Sequence, residues 1–255
     1  MICDAHAYLG NNPAWAQMGL PVPLDADGWV EMMDRSGVDR ALVAPPGVGK
    51  DADFKPDMDL IADGIRKYPD RIFGFCRIKP KRGNIAIDEM RMRVHEQGFR
   101  AIKMNTLDDN YRLDDRKLLD PVIEAADALK IVVFFHTGDQ HGETCQPSMV
   151  SDMALDFPST TFIIGHCGYI GYQDQTPAAL KRAPNTVTET AGVLSPILIQ
   201  NIVNEVGAER VLIGSNGPNT PIELPPILVN NHMNKLNQSE KALITGGNFE
   251  RIFNL

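Results

Sequence analysis

Eight short apolar runs recur along the chain, each separated from the next by a loop and an amphipathic stretch, and this repeat constrains the fold more than any other feature. The runs occupy residues 2–6, 40–44, 72–78, 99–104, 131–136, 161–166, 186–190 and 211–215. Most are near-continuously apolar; Ile131-Val132-Val133-Phe134-Phe135 is the clearest. Strands buried on both faces of a parallel sheet read this way, whereas half-exposed antiparallel strands alternate.

The stretches between the runs carry helical spacing. Residues 27–36 place Trp29, Met32 and Met33 before Gly37, a residue suited to a left-handed helix stop. Residues 114–129 carry Leu118, Val122, Ile123, Ala126 and Leu129, and residues 196–206 carry Ile197, Ile202 and Val206 before Gly207. Eight strands alternating with helices over 255 residues match the size of a closed (β/α)8 TIM barrel, so the chain is expected to be a single α/β domain spanning residues 1–255. An open doubly wound sheet is the alternative, but no Gly-rich phosphate turn follows the first run, as a dinucleotide binder of that fold requires.

Composition narrows the function classes. A formal charge of −8, with no long run of Lys or Arg, speaks against a nucleic-acid partner or an anionic membrane surface. No apolar stretch approaches the roughly 20 residues of a membrane helix, and the first residues lack the basic start and apolar core of a signal peptide. A cytoplasmic protein with a small-molecule substrate is the expectation. Cys3, Cys76, Cys145 and Cys167 show no paired spacing and read as reduced, packed thiols.

In such a barrel the chemistry gathers at the C-terminal ends of the strands. His6, Arg77, Lys103, His136, His166, Glu189 and Asn216 fall there, including three of the six histidines. Strand alternation puts Asp4, His6 and Tyr8 on one side, and a buried imidazole needs a partner or a ligand. Core histidines satisfied by backbone are the bland alternative, made less attractive by three at corresponding strand ends.

Motifs across the chain are similar to those of the amidohydrolase superfamily, in the branch of metal-dependent hydrolases and nonoxidative decarboxylases. Cys3-Asp4-Ala5-His6-Ala7-Tyr8 resembles the family's opening D-x-H-x-H strand. Residues 98–103, 135–138 and 164–168 resemble its fourth, fifth and sixth strands, residues 210–218 its eighth strand with G-S-D-x-P, and residues 247–253 its closing helix. Three positions depart from the pattern. Tyr8 stands where the resemblance implies a second metal-binding His, Asn216 where it implies an Asp that binds metal and takes a proton from water, and Asn105 where Lys-x-His often ends the fourth strand.

His6, His136 and His166 survive, and three neutral imidazoles plus water can hold a divalent metal, zinc first. The resemblance also allows His166 to stand beside the metal and act on substrate, so both a metal-loaded and a metal-free site remain open. The first expectation is a hydrolase of a small anionic substrate. His166 would be its acid/base residue, Lys103 and Asn216 further catalytic positions, Arg77 and Lys103 an anion clamp, and Tyr8 part of the substrate pocket. Nonoxidative decarboxylation of an aromatic or cyclic acid is the second reading, and a binding barrel without catalysis the third. Glu189 reads as a partner for Arg or Lys before it reads as a replacement base. His141 is a potential substitute ligand, while His95 and His232 read as exposed. The loop at residues 11–24, with Trp15 and Met18, is expected to lid the site or meet a second subunit; homo-oligomerisation is implied by the resemblance alone.

Overall fold

The protein is described by a computed structural model covering residues 1–46, 52–138 and 142–255. Its strands are β1 (Cys3–Tyr8), β2 (Arg40–Ala44), β3 (Ile72–Arg77), β4 (Ala101–Met104), β5 (Val132–Phe135), β6 (Phe162–Ile164), β7 (Thr186–Glu189) and β8 (Val211–Leu212). They pair in parallel in sequence order. Backbone hydrogen bonds across the β1/β8 seam close the barrel: Ala5 N to Ile213 O at 2.9 Å, Asn216 N to His6 O at 2.8 Å and Tyr8 N to Gly217 O at 2.7 Å. The TIM barrel expected from the repeat is thereby established.

Helices α1 (Ala26–Ser36), α2 (Lys55–Lys67), α3 (Asn84–Gln97), α4 (Arg116–Ala128), α5 (Pro147–Asp156), α6 (Thr176–Arg182) and α7 (Pro196–Val206) connect successive strands. Local chemistry fixes their ends. Asp25 accepts a hydrogen bond from Gly28 N at 2.9 Å to start α1, which stops at Gly37 with φ 67°. Asp115 and Ser195 cap α4 and α7 in the same way. After β8 come α8 (Leu224–Ile227), α9 (Gln238–Ala242) and α10 (Asn248–Phe253).

Burial falls into two shells. One lies between strands and helices, and the other fills the barrel with Cys3, Ala5, Leu42, Phe73, Phe75, Ala101, Phe134, Ile163, Val187 and Leu212. Phe249 and Phe253 of α10 pack into this inner cluster. Phe249 meets Phe73 edge-on at 5.6 Å, on the opposite side of Phe75 and Phe134 from the strand ends.

Of the three residues expected on one side of β1, His6 and Tyr8 do share a side, both reaching Lys103 Nζ, while Asp4 turns instead to Ser215. The β1–β2 register shifts between Asp4 and Ala7. Ala5 packs among the inner residues, the His6 ring also meets inner Phe134, and Ala7 joins the outer shell. A bulge of this kind re-aims the side chains that follow it. Several strands also end earlier than the apolar runs do, leaving His136 and His166 in the turns just past β5 and β6.

The loop at 11–24, expected to lid the site or meet a second subunit, is tied to the barrel through Trp15. Trp15 is fully buried and donates its indole N–H to Asn219 Oδ1 at 2.8 Å, so it anchors the loop over the end of β8, while Met18 is exposed. His95 and His232 are exposed as expected, the four cysteines are buried and free, and His141 lies outside the described residues. No helix among the described residues is long and apolar enough to cross a membrane.

Candidate active site

His6 and Glu189 have no solvent exposure, and Lys103 has 2%. Their side chains form a chain across the barrel mouth. His6 Nδ1 donates to Glu189 Oε1 at 3.1 Å, and Lys103 Nζ donates to His6 Nε2 at 2.5 Å and to the Tyr8 hydroxyl at 2.9 Å. A carboxylate only accepts, which fixes the His6 tautomer with its proton on Nδ1 and its lone pair on Nε2. Phe134, 4.6 Å from the His6 ring, and Phe75 make an apolar floor below.

Burial sets the electrostatics. It holds His6 well below the ordinary histidine range, with the Lys103 charge pushing the same way. Burial, then the Arg77 guanidinium, bring Lys103 well below the usual lysine range. Glu189 is satisfied by three donors: His6 Nδ1, His166 N at 2.6 Å and Ala191 N at 2.5 Å. Gly214 makes room for it, since a Cβ there would fall 2.3 Å from Glu189 Oε2 and 3.1 Å from His6 Cβ.

His166 stands in a tight turn where two successive non-glycine residues, His166 (φ 58°) and Cys167 (φ 51°), adopt the left-handed region. Each costs roughly 1–2 kcal/mol and persists only where surrounding bonds fix it. Glu189 Oε1 takes the His166 amide, the Cys167 thiol donates to Glu189 O at 3.2 Å, and Thr137 and Thr176 hold the Gly165 and Cys167 carbonyls. The His166 ring donates through Nδ1 to Ala191 O at 2.7 Å, leaving Nε2 buried without a hydrogen-bond partner. Desolvation lowers its pKa to about 4. The three histidine rings converge: His6 to His166 is 4.9 Å, His136 to His166 4.2 Å and His6 to His136 6.5 Å between centroids.

Asp4 belongs to the seam. It accepts from Ser215 N at 2.9 Å, from His6 N at 3.1 Å and from the Ser215 hydroxyl, and burial raises its pKa to about 7. Asn216, with φ 62°, leaves Oδ1 buried without a partner. Tyr8, His136 and Asn216, each half-buried, are the members that approach the surface.

A sequence profile of the amidohydrolase family matches residues 3–255. The chain belongs to the amidohydrolase family. No curated protein sequence matches the chain. Its barrel is similar to that of 5-carboxyvanillate decarboxylase from Sphingomonas paucimobilis, with TM-score 0.78, 18% identity and coverage of 100% of this chain and 99% of the other. It is also similar to 2,6-dihydroxybenzoate decarboxylase from Rhizobium (TM-score 0.74, 16% identity, 99% and 98% covered). A third similar structure is a dihydroxybenzoic acid decarboxylase from Polaromonas sp. JS666 with bound manganese and the inhibitor 2-nitroresorcinol (TM-score 0.75, 16% identity, 100% and 97% covered).

In this barrel the expected cations take separate partners. Arg77 and Lys103 are register neighbours on β3 and β4, yet Arg77 Nη1 pairs with Asp109 at 2.9 Å while Lys103 turns to His6 and Tyr8. Arg77 Nη2 remains buried without a hydrogen-bond partner, 3.9 Å from Asp108, and the guanidinium lies over the Phe54 ring. Glu189 answers to His6 and two backbone amides rather than to the Arg or Lys expected for it. Among the described residues, the group able to converge on a metal ion is His6, His166 and Glu189, with donor atoms within 4.8 Å of one another; His136 lies beside it at the rim. The donor set suits a divalent ion: a carboxylate and two neutral imidazoles, one of them presenting the orphaned His166 Nε2.

Proposed function

We propose that this member of the amidohydrolase family is a nonoxidative decarboxylase of a small aromatic or cyclic carboxylic acid. The buried Lys103–His6–Glu189 chain, with Asn216 at the end of the barrel, carries this reading. Hydrolysis needs a base that takes a proton from water, and an amide cannot serve. Decarboxylation needs the reverse: a proton placed on the carbon that bears the carboxylate. The C–C bonding electrons then stay with the ring as carbon dioxide leaves. Lys103, lowered from its usual range by burial, gives up a proton more readily than an exposed lysine, and His6 and Glu189 hold it in place. Its ammonium also draws the substrate's negative charge toward the chain.

The remaining roles follow from reach and unmet hydrogen bonding. Arg77 offers Nη2 to the substrate's anionic group, and Tyr8 and His136 form the pocket rim. His166 Nε2 accepts a proton or a substrate hydroxyl. His6, His166 and Glu189 would hold a divalent metal, which supplies positive charge for the acid's oxygens when bound. Manganese, present in a structurally similar decarboxylase, joins zinc as the candidate ion.

The test is a panel of hydroxybenzoic and related acids incubated in D2O. Carbon dioxide release, with one deuterium at the vacated ring carbon, is expected. Turnover confined to esters, lactones or amides restores the hydrolase reading. Tight binding of the acids with no turnover by metal-loaded protein makes this a binding barrel.

A further inference from the structure

We infer that Lys103 and a divalent metal ion compete for one lone pair, that of His6 Nε2, so that loading the site displaces the lysine from His6 onto Tyr8. The inference deepens the reading of the site given above, yet its test reads metal affinity and does not depend on which reaction the site performs.

The argument is steric first. His6 has one nitrogen committed to Glu189, 3.1 Å away, and one free to ligate. Lys103 Nζ already stands 2.5 Å from that second nitrogen. A zinc ion bonds an imidazole nitrogen at about 2.0–2.1 Å, so an ion on the same lone pair would lie within roughly an ångström of the amine. Both cannot be there. Charge adds to the exclusion, because an ammonium and a divalent ion repel strongly at short range when both are withdrawn from water.

The structure also supplies the place to which the amine retreats. The Tyr8 hydroxyl already accepts from Nζ at 2.9 Å, and Nζ lies 4.1 Å from the centre of the Tyr8 ring. A phenol oxygen and an aromatic face both suit a cation. Turning away from His6 therefore costs Lys103 one hydrogen bond and leaves it another. His166 Nε2, buried without a hydrogen-bond partner, belongs to the same group of potential ligands as His6, with donor atoms within 4.8 Å of one another, and can join an ion that replaces the amine. Tyr8 stands where the family pattern has a metal-binding His, and here that position gives the lysine an alternative seat.

The test uses the full chain, stripped with chelator and dialysed, titrated separately with Mn2+ and Zn2+ by calorimetry. Lys103→Met keeps the unbranched apolar stem and removes the competing amine, and should bind at least tenfold more tightly than the unaltered protein. Adding His6→Asn to Lys103→Met should abolish that gain. Equal or weaker binding by Lys103→Met overturns the inference, because the lysine would then be a bystander or itself a ligand. A gain that survives His6→Asn overturns it as well. Should Lys103→Met not fold, the unaltered protein soaked with Mn2+ carries the test through anomalous scattering. An ion on His6 with Lys103 still hydrogen-bonded to Nε2 overturns the inference. An ion held by the other site residues with none on His6 overturns it as well, and an ion on His6 Nε2 with Lys103 turned to Tyr8 agrees with it.

Discussion

Replacing Glu189 by Gln removes the carboxylate that balances Lys103 while preserving shape. Two costs follow. First, a carboxylate with three donors becomes an amide, and whichever way the amide is turned, its NH2 faces either the Ala191 N–H or the His166 N–H. Losing hydrogen bonds to a charged acceptor costs about 1.5–3 kcal/mol. Second, Lys103 must remain buried as an unbalanced ammonium or give up its proton. The second route is capped: from an unfolded pKa of about 10.4, keeping the amine neutral costs up to about 4.6 kcal/mol at pH 7 and about 1.9 kcal/mol at pH 9. The two costs share partners and do not add in full, so a loss of about 4–6 kcal/mol at pH 7 is expected, smaller by as much as about 2.7 kcal/mol at pH 9. That is a large part of a typical domain's stability. Guanidinium unfolding followed by circular dichroism at both pH values measures it. Adding Lys103→Met should recover at least 2 kcal/mol (about half the lysine term), and provides a folded reference if Glu189→Gln alone does not accumulate. A loss under about 1 kcal/mol, or no recovery in the double variant, refutes the view that Glu189 balances a buried lysine.

Three further outcomes are expected. His166 has a folded pKa near 4 against about 6.5 unfolded, so it lowers stability as pH falls from about 6.5 to about 4; in chelator-treated protein His166→Gln should flatten that dependence by roughly 3 kcal/mol. Asp4, raised to about 7, acts in the opposite sense between about pH 4 and 7, so the comparison is the difference between variant and parent, and an unchanged difference across that range refutes the His166 reading. Gly214→Ala drives a methyl into Glu189 Oε2 and should lower the thermal midpoint by several degrees while Gly37→Ala, with open space around its Cβ, costs only its backbone strain; equal effects would show that the carboxylate has room to move. Tyr8→His with Asn216→Asp should raise Mn2+ affinity at least tenfold in calorimetry, and no gain means the two positions do not face a common point.

The fold was legible because parallel strands buried on both faces announce themselves as apolar runs, and α1 began within one residue of its sequence boundary. His6, Lys103 and His166 were legible as polar residues at or near strand ends. The hydrogen bonds among them were not. Glu189 meets His6 across 183 residues of sequence, and only barrel closure brings them together, so nothing near Thr188-Glu189 announced a histidine partner. The β1 bulge was equally hidden, because residues 4–8 alternate cleanly and the register shift shows only when β1 is paired with its neighbours. Arg77 found Asp109 in a polar loop whose path follows from no spacing rule. Trp15 was legible only as part of a loop expected to lid the site or meet a second subunit, since its indole partner Asn219 lies beyond β8, 204 residues away in sequence.

The seam between β1 and β8 sets the order in which the molecule can be assembled. Asp4 and Ser215 are 211 residues apart, and the pairing of Tyr8 with Gly217 spans a similar length of chain. During synthesis His6 leaves the ribosome long before the groups that complete its surroundings, some 211 residues further on. Until they arrive, β1 presents an unpaired edge that other chains can pair with, and closing so long a loop is intrinsically slow. A nascent chain halted before residue 211 holds all three site histidines and Lys103 without the segment that closes the barrel around them. Loss of metal or ligand affinity on mild heating or dilute denaturant should therefore precede loss of helical signal, with the site acting as a reporter of the seam.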